Sequence, residues 1–591
     1  MKLITTSLVN RVARRGYALI FALLFTGVSL LILGSALAWS SASSRLTARS
    51  NLYYGGVNVV EASAEKVIAR MTADFQTNGQ ATVDANLGSY ATYIPTTTET
   101  SLLKNYQFNN GTGTINRVKV DKLVNWTYTN LPTIYNGLMG RVATFQITAT
   151  ALDTNAVEKT PVAIQRQAHL ASIPIFNFAC YYAVDMEFNP GGAMTVNGRV
   201  HGNGNIYLQP GNGLTFQTHV TSARKIHHNY HPNDPRGYFT PTITYNALHD
   251  GGVNSMTLPI GTNNTSTNLH RIIEVPPSTA VEPTNSAMGR MRYYNKADLI
   301  ILISNTTVVA RSGSYNNFAT VLPWTNVCDR ISVTKKKKKG AAVTNVVQGV
   351  IATNVVFYDK RAGQYVNATE VDVSELINDA SFYLSWLGRS VKTLYVADFR
   401  TTAGRRSVVR IVNGQVLPSA GLTIVSPNPV YIQGEYNVPD AYLGTTNTSA
   451  SAPASIIGDA VTVLSDDWSD AASGGDLSGR LATNMTINAA ILTGVPVTAG
   501  GAYSGGMENF LRLLEDWSGK TLTFNGSMVA LFQSQAETTP LYFPTTALYA
   551  APTRNWNFNP ALQDPAKQPP GTPELRVLIR GDWRMVRGAI P

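Results

Sequence analysis

The segment RRGYALIFALLFTGVSLLILGSALAW, residues 14–39, decides the first element of the fold. Its 23 residues from Tyr17 to Trp39 carry no charge. At about 1.5 Å per residue, a helix of that length spans the hydrocarbon core of a bilayer, which is about 30 Å thick. The sequence therefore predicts one helix that can cross a membrane.

A short basic leader, residues 1–16, precedes this helix. It holds four basic residues, which are Lys2, Arg11, Arg14 and Arg15. By the positive-inside rule such a leader stays in the cytoplasm while the following residues are exported. A secretory signal has a small-residue cleavage site after its apolar region, whereas here Gly16 stands before it. Cleavage between Gly16 and Tyr17 would remove the leader and keep the helix.

Beyond Trp39 the helical pattern continues but becomes polar. The stretch from Ser40 to Met71 lacks proline and places its apolar residues close to helical spacing. Those residues are Val57, Val60, Ala64, Val67 and Ile68. For residues 17–74 we therefore expect a hydrophobic transmembrane helix that continues into an amphipathic stalk.

The N-terminal region resembles PilX-type minor pilins and related type IV pilin-like pseudopilins. The resemblance rests on the RRG site before YALIFALLF and on YYGGVNVVEASAEKVIARM, residues 53–71. It implies cleavage after Gly16 by a prepilin peptidase, and contact of the helix with inner-membrane lipid and other pilin-like subunits. The chain differs from major pilins at Phe21, where that family usually has glutamate at this assembly position.

The resemblance also implies a location. The protein would be a single-pass inner-membrane protein whose C-terminal region is exported to the periplasm or carried on a cell-surface filament. A looser resemblance to the exported regions of large PilX-like proteins rests on GRVHGNGNIYL and SPNPVYIQGEYN. A signal-anchored exported protein that joins no filament is the simpler alternative.

The exported region has the composition of a β-rich protein. In the whole chain of 591 residues, 44% of the residues are hydrophobic and only 14% are charged. Alternation of apolar and polar residues from Arg141 to Asp153 predicts a half-buried strand in a small β-rich domain, residues 75–172. The fold class expected is mainly β with a long N-terminal α-helix.

Residues 173–500 contain short apolar pieces separated by Gly/Asn corners such as Asn197-Gly198. Such corners suit a β-helix-like domain with solenoid-like rungs, although no strict repeat period is visible. Two stretches without apolar periodicity, near 219–286 and 327–344, are expected to be insertions. Residues 501–591 are expected to be an α+β segment with a Pro-rich tail, including a helix from Gly506 to Trp517 capped by Gly519.

Two cysteines, Cys180 and Cys328, lie far apart in the sequence. Export to an oxidising compartment would allow a disulfide between them, and two separate buried thiols are the alternative. A zinc site or redox motif built on cysteines is excluded by their number. The pairing of Cys180 and Cys328 therefore stays open at this stage.

Histidines and carboxylates form two further groups of candidates. His227, His228 and His231 could offer imidazoles to a metal, but Pro232 and Pro235 favour a loop. The carboxylates are Asp359, Glu370, Asp372 and Glu375 in one group and Asp466, Asp467, Asp470 and Asp476 in the other. The first group fits exposed strand and turn positions, and the second lacks the order of a calcium loop. No catalytic motif is found, so we expect no enzyme activity, no cofactor and no metal.

The net charge of +11 includes the leader and the run Lys335 to Lys339, which we expect to be a solvated loop. No nucleic acid partner is therefore expected. The resulting hypothesis is a structural subunit of a type IV pilus or a type II secretion-like assembly. Its β-rich head would serve cell adhesion, capping or partner recognition, with a surface or polysaccharide ligand. The alternative is an exported polysaccharide-binding or polysaccharide-active β-helix protein that uses the helix only as an anchor.

Overall fold

The structure is a computed structural model of the chain. It describes residues 16–156, 159–312, 321–323, 328, 330–334, 343–347, 349–500, 502–538, 541 and 548–587. Residues 1–15 of the predicted leader and the run Lys335 to Lys339 lie outside the described residues.

One long helix, α1, runs from Gly16 to Asn78 without a break. Two short helices follow it, α2 (Gln80–Ala85) and α3 (Leu87–Tyr90). The prediction of a continuous helix over 17–74 is confirmed, and the helix extends four residues further. Gly79 ends it with a φ of 83°, in the left-handed region that glycine adopts without strain.

An antiparallel sheet packs against the C-terminal half of α1. Its central strand β3 carries apolar residues on alternate positions, as predicted from Arg141 to Asp153, and that inner face meets the helix. The last strand of the chain closes the sheet by pairing with β4. The strands are β1 (Tyr106–Asn109), β2 (Lys119–Asn130), β3 (Met139–Asp153), β4 (Val162–Pro174) and β33 (Glu574–Arg587).

Short parallel strands stack next along the chain. Equivalent strands first pair 20 residues apart, as in the register Cys180, Val200 and Val220, and the last interval is longer, since Val220 pairs with His249. They are β5 (Cys180–Tyr182), β6 (Met186–Phe188), β7 (Met194–Val196), β8 (Val200–Gly202), β9 (Ile206–Leu208), β10 (Leu214–Phe216), β11 (Val220–Ser222), β12 (Ile226–His227), β13 (Ile243–Tyr245) and β14 (His249–Gly251). No strict repeat period was recognised in the sequence, although Pro190 and Pro210 recur at the same 20-residue interval as the first strands.

The stacks extend into the range predicted to be an insertion. Strands β11 to β14 lie within 219–286, so that prediction is wrong for residues 220–251. The remainder of that range holds the helix α4 (Ser266–His270), and α5 (Ala287–Met291) and α6 (Tyr293–Lys296) follow it.

A long mixed sheet forms the centre of the head. Its strand order is β14-β11-β8-β5-β31-β29-β26-β24-β22-β15-β16-β17, with β28 and β32 paired to β31. The strands not yet described are β15 (Leu299–Ile303), β16 (Val308–Ser312), β17 (Val321–Pro323), β22 (Thr393–Asp398), β24 (Leu422–Val425), β26 (Ala454–Gly458), β28 (Met485–Ile487), β29 (Ala490–Val495), β31 (Thr521–Gln533) and β32 (Thr553–Phe558).

A second sheet faces the long one across the main hydrophobic core. Its order is β20-β21-β23-β25-β27-β30. The strands are β20 (Ile351–Asp359), β21 (Gln364–Asp372), β23 (Arg405–Val412), β25 (Val430–Gln433), β27 (Val461–Leu464) and β30 (Arg512–Leu513). Helices α7 (Val373–Asn378) and α8 (Ala380–Leu387) follow β21, and a separate pair is formed by β18 (Arg330–Thr334) and β19 (Val343–Val347).

Both faces of the long sheet are buried. Ile301 and Val396 point into the core shared with the second sheet, whereas Ile300 and Tyr395 point to a core covered by α4 to α6. Strands buried on both faces favour near-continuous apolar runs, as in LIILI of β15. The antiparallel pairs β15–β16 and β20–β21 interrupt the parallel order, so solenoid-like rungs throughout 173–500 stay a prediction.

The prediction of a helix from Gly506 to Trp517 is wrong. A single 3-10 turn, Met507–Asn509, is followed by strand β30, which pairs in parallel with β27. Apolar side chains around this segment are buried on all sides, and Arg512 is buried with its Nη2 2.7 Å from Glu537 Oε2. The helical pattern predicted burial of one face only, whereas the folded protein buries this segment more completely. The pairing with β27 therefore outweighs the local preference for a helix.

Candidate functional site

The N-terminal half of α1 leaves its apolar side chains exposed. Leu31 and Trp39 are 73% and 76% exposed, and the other large apolar side chains between them and Tyr17 are exposed as well. By length and composition this is a helix that can cross a membrane. A continuous apolar surface of this extent marks a site that contacts lipid or another apolar helix.

Further along, the same helix enters a hydrophobic core. Val60, Val67 and Ile68 are buried against side chains of the antiparallel sheet such as Phe145 and Ile164. The buried positions recur every three or four residues, as the sequence predicted for the stalk. The exposed half of α1 is therefore a direct extension of an element that is fixed in the head.

Gly56 lies in the part of α1 that packs against the sheet. A Cβ atom at this position would lie 2.7 Å from Cγ2 of Val162 on β4, which is closer than van der Waals contact allows. At the neighbouring Gly55, a Cβ atom would lie 3.2 Å from the hydroxyl of Tyr106. The Gly55-Gly56 pair thus permits the close approach of the helix to the sheet.

A cavity of about 510 Å³ opens at this junction. Arg45 and Arg49 of α1 border it on one side, and Tyr106 and Asp153 of the sheet border it on the other. The transition from an apolar to a basic helix surface therefore coincides with the beginning of the head. Long basic side chains at such a position suit the level of lipid head groups.

The predicted processing and assembly positions lie in the exposed half. Gly16 is the first described residue and begins α1. Tyr17 is exposed, and the aromatic side chain of Phe21 is exposed within the apolar surface. The structure does not test cleavage or assembly at these positions, so both stay predictions.

Cys180 and Cys328 are separate buried thiols, and no disulfide joins them. Cys180 lies in β5, where burial raises the pKa of its thiol to about 12. The backbone of Cys328 pairs with that of Ile351 in an isolated parallel β-bridge. A thiol held in its protonated form reacts slowly, so Cys180 is a core residue in this structure.

The clustered histidines pack on tyrosine rings. His227 stacks on Tyr207 with ring centres 4.9 Å apart, and His231 meets the same ring edge-on at 4.9 Å. His228 points elsewhere, with Nε2 3.0 Å from the hydroxyl of Tyr245. Among the described residues, no three His, Cys, Asp or Glu side chains are placed to hold a metal ion.

Carboxylates from both acidic groups of the sequence meet in one cleft of about 500 Å³. Glu370 lines it from β21 and Asp470 from the loop after β27, and Arg410 donates to both at 2.8 and 2.6 Å. The cleft also contains Asp372, Asp466 and Trp468. Parallel pairing of β21, β23 and β25 places these distant residues on one face.

The sequence analysis missed Glu435, which lies in the same cleft. Its Oε2 accepts a hydrogen bond from the backbone N–H of Thr486 at 2.6 Å. Burial, with the nearby negative charge of Asp466, raises the pKa of Glu435 to about 7. No sequence signal marks this residue, because its surroundings depend on strand stacking.

Four of the earlier candidates do not line this cleft, namely Asp467 and Asp476, which are exposed, and Asp359 and Glu375. Asp359 is buried and accepts a hydrogen bond from the hydroxyl of Tyr431 at 2.5 Å. Glu375 lies in the first turn of α7, where the side chain of Asp372 accepts a hydrogen bond from its N–H at 3.1 Å. The last two have structural contacts that account for their positions.

Comparison with known proteins gives one structural neighbour to report. No protein-family model matches the sequence, and no curated protein matches it. Among solved structures the chain is similar to the competence-associated pilin ComZ from Thermus thermophilus, with 11% sequence identity and a TM-score of 0.28. The alignment covers 90% of this chain and 97% of that chain.

Proposed function

We propose that the protein is a membrane-anchored, pilin-like subunit of a type IV pilus or a type II secretion-like assembly. One observation carries the proposal: the apolar half of α1 is exposed, while the other half is packed into the head. Burying a leucine side chain is worth about 1.5–3 kcal/mol, so a run of exposed ones demands lipid or a neighbouring helix. Packing between such helices supplies the association energy of the assembly.

The proposed partners follow from this arrangement. Other pilin-like subunits and inner-membrane lipid contact the exposed half of α1, and a prepilin peptidase cleaves between Gly16 and Tyr17. The head extends from the inner membrane into the periplasm or onto a filament. Its role is structural rather than catalytic, in adhesion, capping or partner recognition. The minor-pilin class within this group rests on the resemblance of residues 14–21 and 53–71.

Photo-crosslinking within the membrane tests this function. A photoreactive residue at Leu31, in the exposed apolar half, is expected to crosslink to other pilin-like proteins in cells. Asn58 is also exposed on α1 but lies beyond the apolar half, so the same residue there is the matched control. Crosslinks from Leu31 to lipid alone would contradict the assembly role and favour a plain anchor.

N-terminal sequencing of the mature protein tests the processing step separately. We expect the mature chain to begin at Tyr17. A chain that begins at Met1, or one that begins after Trp39 and lacks the membrane helix, would contradict the pilin-like assignment.

The cleft that contains Glu370, Glu435 and Asp470, the acidic cleft, favours a second candidate function. In this alternative the chain is an exported polysaccharide-binding or polysaccharide-active protein. Glu435 has a pKa near neutrality and lies beside further carboxylates, a combination that can serve acid catalysis on glycosides. Trp468 in the same cleft offers an aromatic ring. Release of reducing ends from a polysaccharide by the native protein, lost in Glu435→Gln, would support this candidate over a structural role.

A further inference from the structure

A second polar cavity lies between the parallel stacks and the loop after β29. Its volume is about 360 Å³, which is within the range of about 300–1,000 Å³ typical of small-molecule sites. Glu187 of β6, Tyr182 of β5, and Thr498 and Ser504 of the loop are among its lining residues. The cavity is distinct from the acidic cleft, since the two have no lining residue in common.

Glu187 is held rigidly with one oxygen unused. Its Oε1 accepts hydrogen bonds from the hydroxyls of Thr498 at 2.5 Å and Ser504 at 2.9 Å. The residue is only 5% exposed, and no described group of the protein hydrogen-bonds its Oε2. A buried carboxylate oxygen of this kind requires a hydrogen-bond donor to recover its lost hydration.

Tyr182 presents a second unused polar atom. The residue is 3% exposed, and its hydroxyl has no hydrogen-bond partner among the described residues. Its ring packs near Phe510, with ring centres 6.2 Å apart, so the side chain is fixed by the core. The same cavity therefore offers one fixed acceptor and one fixed hydroxyl, both without hydrogen-bond partners in the described part of the chain.

The rest of the lining indicates what kind of molecule would fit. Val495, Pro496 and Val497 form an apolar wall, Asn205 and Gln533 add amide groups, and the ionisable residues Asp185, Arg224 and His231 also line the cavity, so that it carries charges of both signs. Burial raises the pKa of Glu187 to about 7, so its negative charge is only partial near neutrality. Mixed donors and acceptors beside an apolar wall suit a neutral ligand with several hydroxyl groups and an apolar face, as a sugar ring has.

We propose that this cavity binds a saccharide unit, with Glu187 Oε2 accepting a hydrogen bond from a ligand hydroxyl and the Tyr182 hydroxyl bonding a ligand oxygen. The inference deepens the recognition role proposed for the head and rests on it for its biological purpose. The binding itself is independent of filament formation, because the cavity lies within one chain. Failure of assembly and failure of binding can therefore be told apart.

Binding is measured with the full chain in a detergent without a sugar head group, using saturation-transfer NMR with a panel of neutral mono- and disaccharides. Tyr182→Phe removes only a hydroxyl for which the described residues provide no hydrogen-bond partner. Tyr436→Phe is the matched control, since its hydroxyl is also buried and unpartnered among the described residues but does not line the cavity. Both variants are expected to unfold at or above the native temperature.

We expect at least one saccharide of the panel to bind the native protein and the Tyr436→Phe control alike. Tyr182→Phe should weaken binding about three- to tenfold, as loss of one hydrogen bond does. Glu187→Gln should weaken it as well, because the amide nitrogen replaces the accepting Oε2 with a donor. Circular dichroism checks that both variants are folded.

Three results would overturn the proposal. The first is that no saccharide of the panel binds at millimolar concentration. The second is that a saccharide binds but neither Tyr182→Phe nor Glu187→Gln changes its affinity, whereas Trp468→Ala in the acidic cleft does. The third is that spermidine binds more tightly than every saccharide of the panel, which would identify an amine site instead.

Discussion

Arg576 of β33 caps the C-terminal end of α1 by donating from Nη1 to the carbonyl oxygen of Phe75 at 2.5 Å. The same nitrogen reaches the carbonyl oxygen of Gln76 at 2.9 Å, and the guanidinium lies 5.4 Å from the centre of the Phe75 ring. The last carbonyls of a helix lack intrahelical partners and carry partial negative charge, so a cation there stabilises the helix end. Strand β33 thus anchors the C-terminal end of α1.

Replacement of Arg576 by Ala should lower the free energy of unfolding by about 1.5 to 3 kcal/mol, since charge-assisted hydrogen bonds to partly buried carbonyls are lost. Denaturant unfolding of the protein in detergent measures this change. Arg584→Ala on the same strand is the matched control, because Arg584 is exposed and its Nε donates to the side-chain oxygen of Gln165 rather than to a helix end. Equal effects of the two substitutions would show that Arg576 does not cap α1.

Replacement of Gly56 by Ala should destabilise the contact between α1 and the sheet by about 1 to 3 kcal/mol, because the new methyl group would overlap Val162. Thermal unfolding followed by circular dichroism measures the loss. Gly34→Ala is the control, since a Cβ atom there meets nothing within 4 Å. The double variant Gly56→Ala with Val162→Ala should recover part of the loss, and no recovery would argue against this contact.

The stability of the head should fall as the pH rises towards 8, and Glu515 should contribute to that fall. Burial raises its pKa to about 7, above the usual value of a glutamate. Because the folded state holds this proton more tightly than the unfolded state, the contribution is full below about pH 4.5 and is lost as the pH rises through about 7. Glu187 and Glu435 act in the same direction.

Glu515→Gln mimics the protonated side chain and can keep both contacts with Ser465. The variant should match the native protein in melting temperature near pH 5 and exceed it near pH 8. Glu99→Gln is the control, because its effect on stability should have the opposite sign. Hydrogen bonding to Lys66 lowers the pKa of that exposed carboxyl, so the folded state favours its charged form, which glutamine lacks. A constant difference between Glu515→Gln and native protein at all pH values would contradict the raised pKa.

Phe21→Glu tests the assembly position. A carboxylate within the bilayer should cost the isolated helix about 2 to 3 kcal/mol, unless a neighbouring subunit places an amine against it. We expect the native protein to be a low-abundance subunit at the tip or in an initiating complex, and Phe21→Glu to reduce its membrane insertion. The abundance of the native protein is measured as subunit stoichiometry in purified filaments. The membrane insertion of Phe21→Glu is measured by membrane fractionation.

Phe25→Glu is the matched control for this prediction, since Phe25 lies one helical turn further along the same exposed surface. If no amine faces residue 21, the two variants should behave alike. Better insertion of Phe21→Glu than of Phe25→Glu would reveal a facing amine. Finding the native protein as the main component along the filament shaft would refute the low-abundance position.

Elements with a clear local period were predictable from the sequence. The helix α1 and the strand β3 were expected within a few residues of their observed bounds, because each presents one apolar face at the spacing of its own geometry. In each case neighbouring residues in the sequence carry the whole signal.

The tertiary structure decided what depends on partners far along the chain. The segment at Arg512 has a helical pattern but forms a strand, because pairing with β27 and the ion pair with Glu537 bury every side of it. The same holds for Glu187 and Glu435, whose pKa values depend on burial among residues that are far apart in the sequence. The sequence by itself thus determined the membrane-competent helix and the β-rich class, through short-range periodicity. Long-range pairing alone decided which strands meet and where the cavities of the head lie.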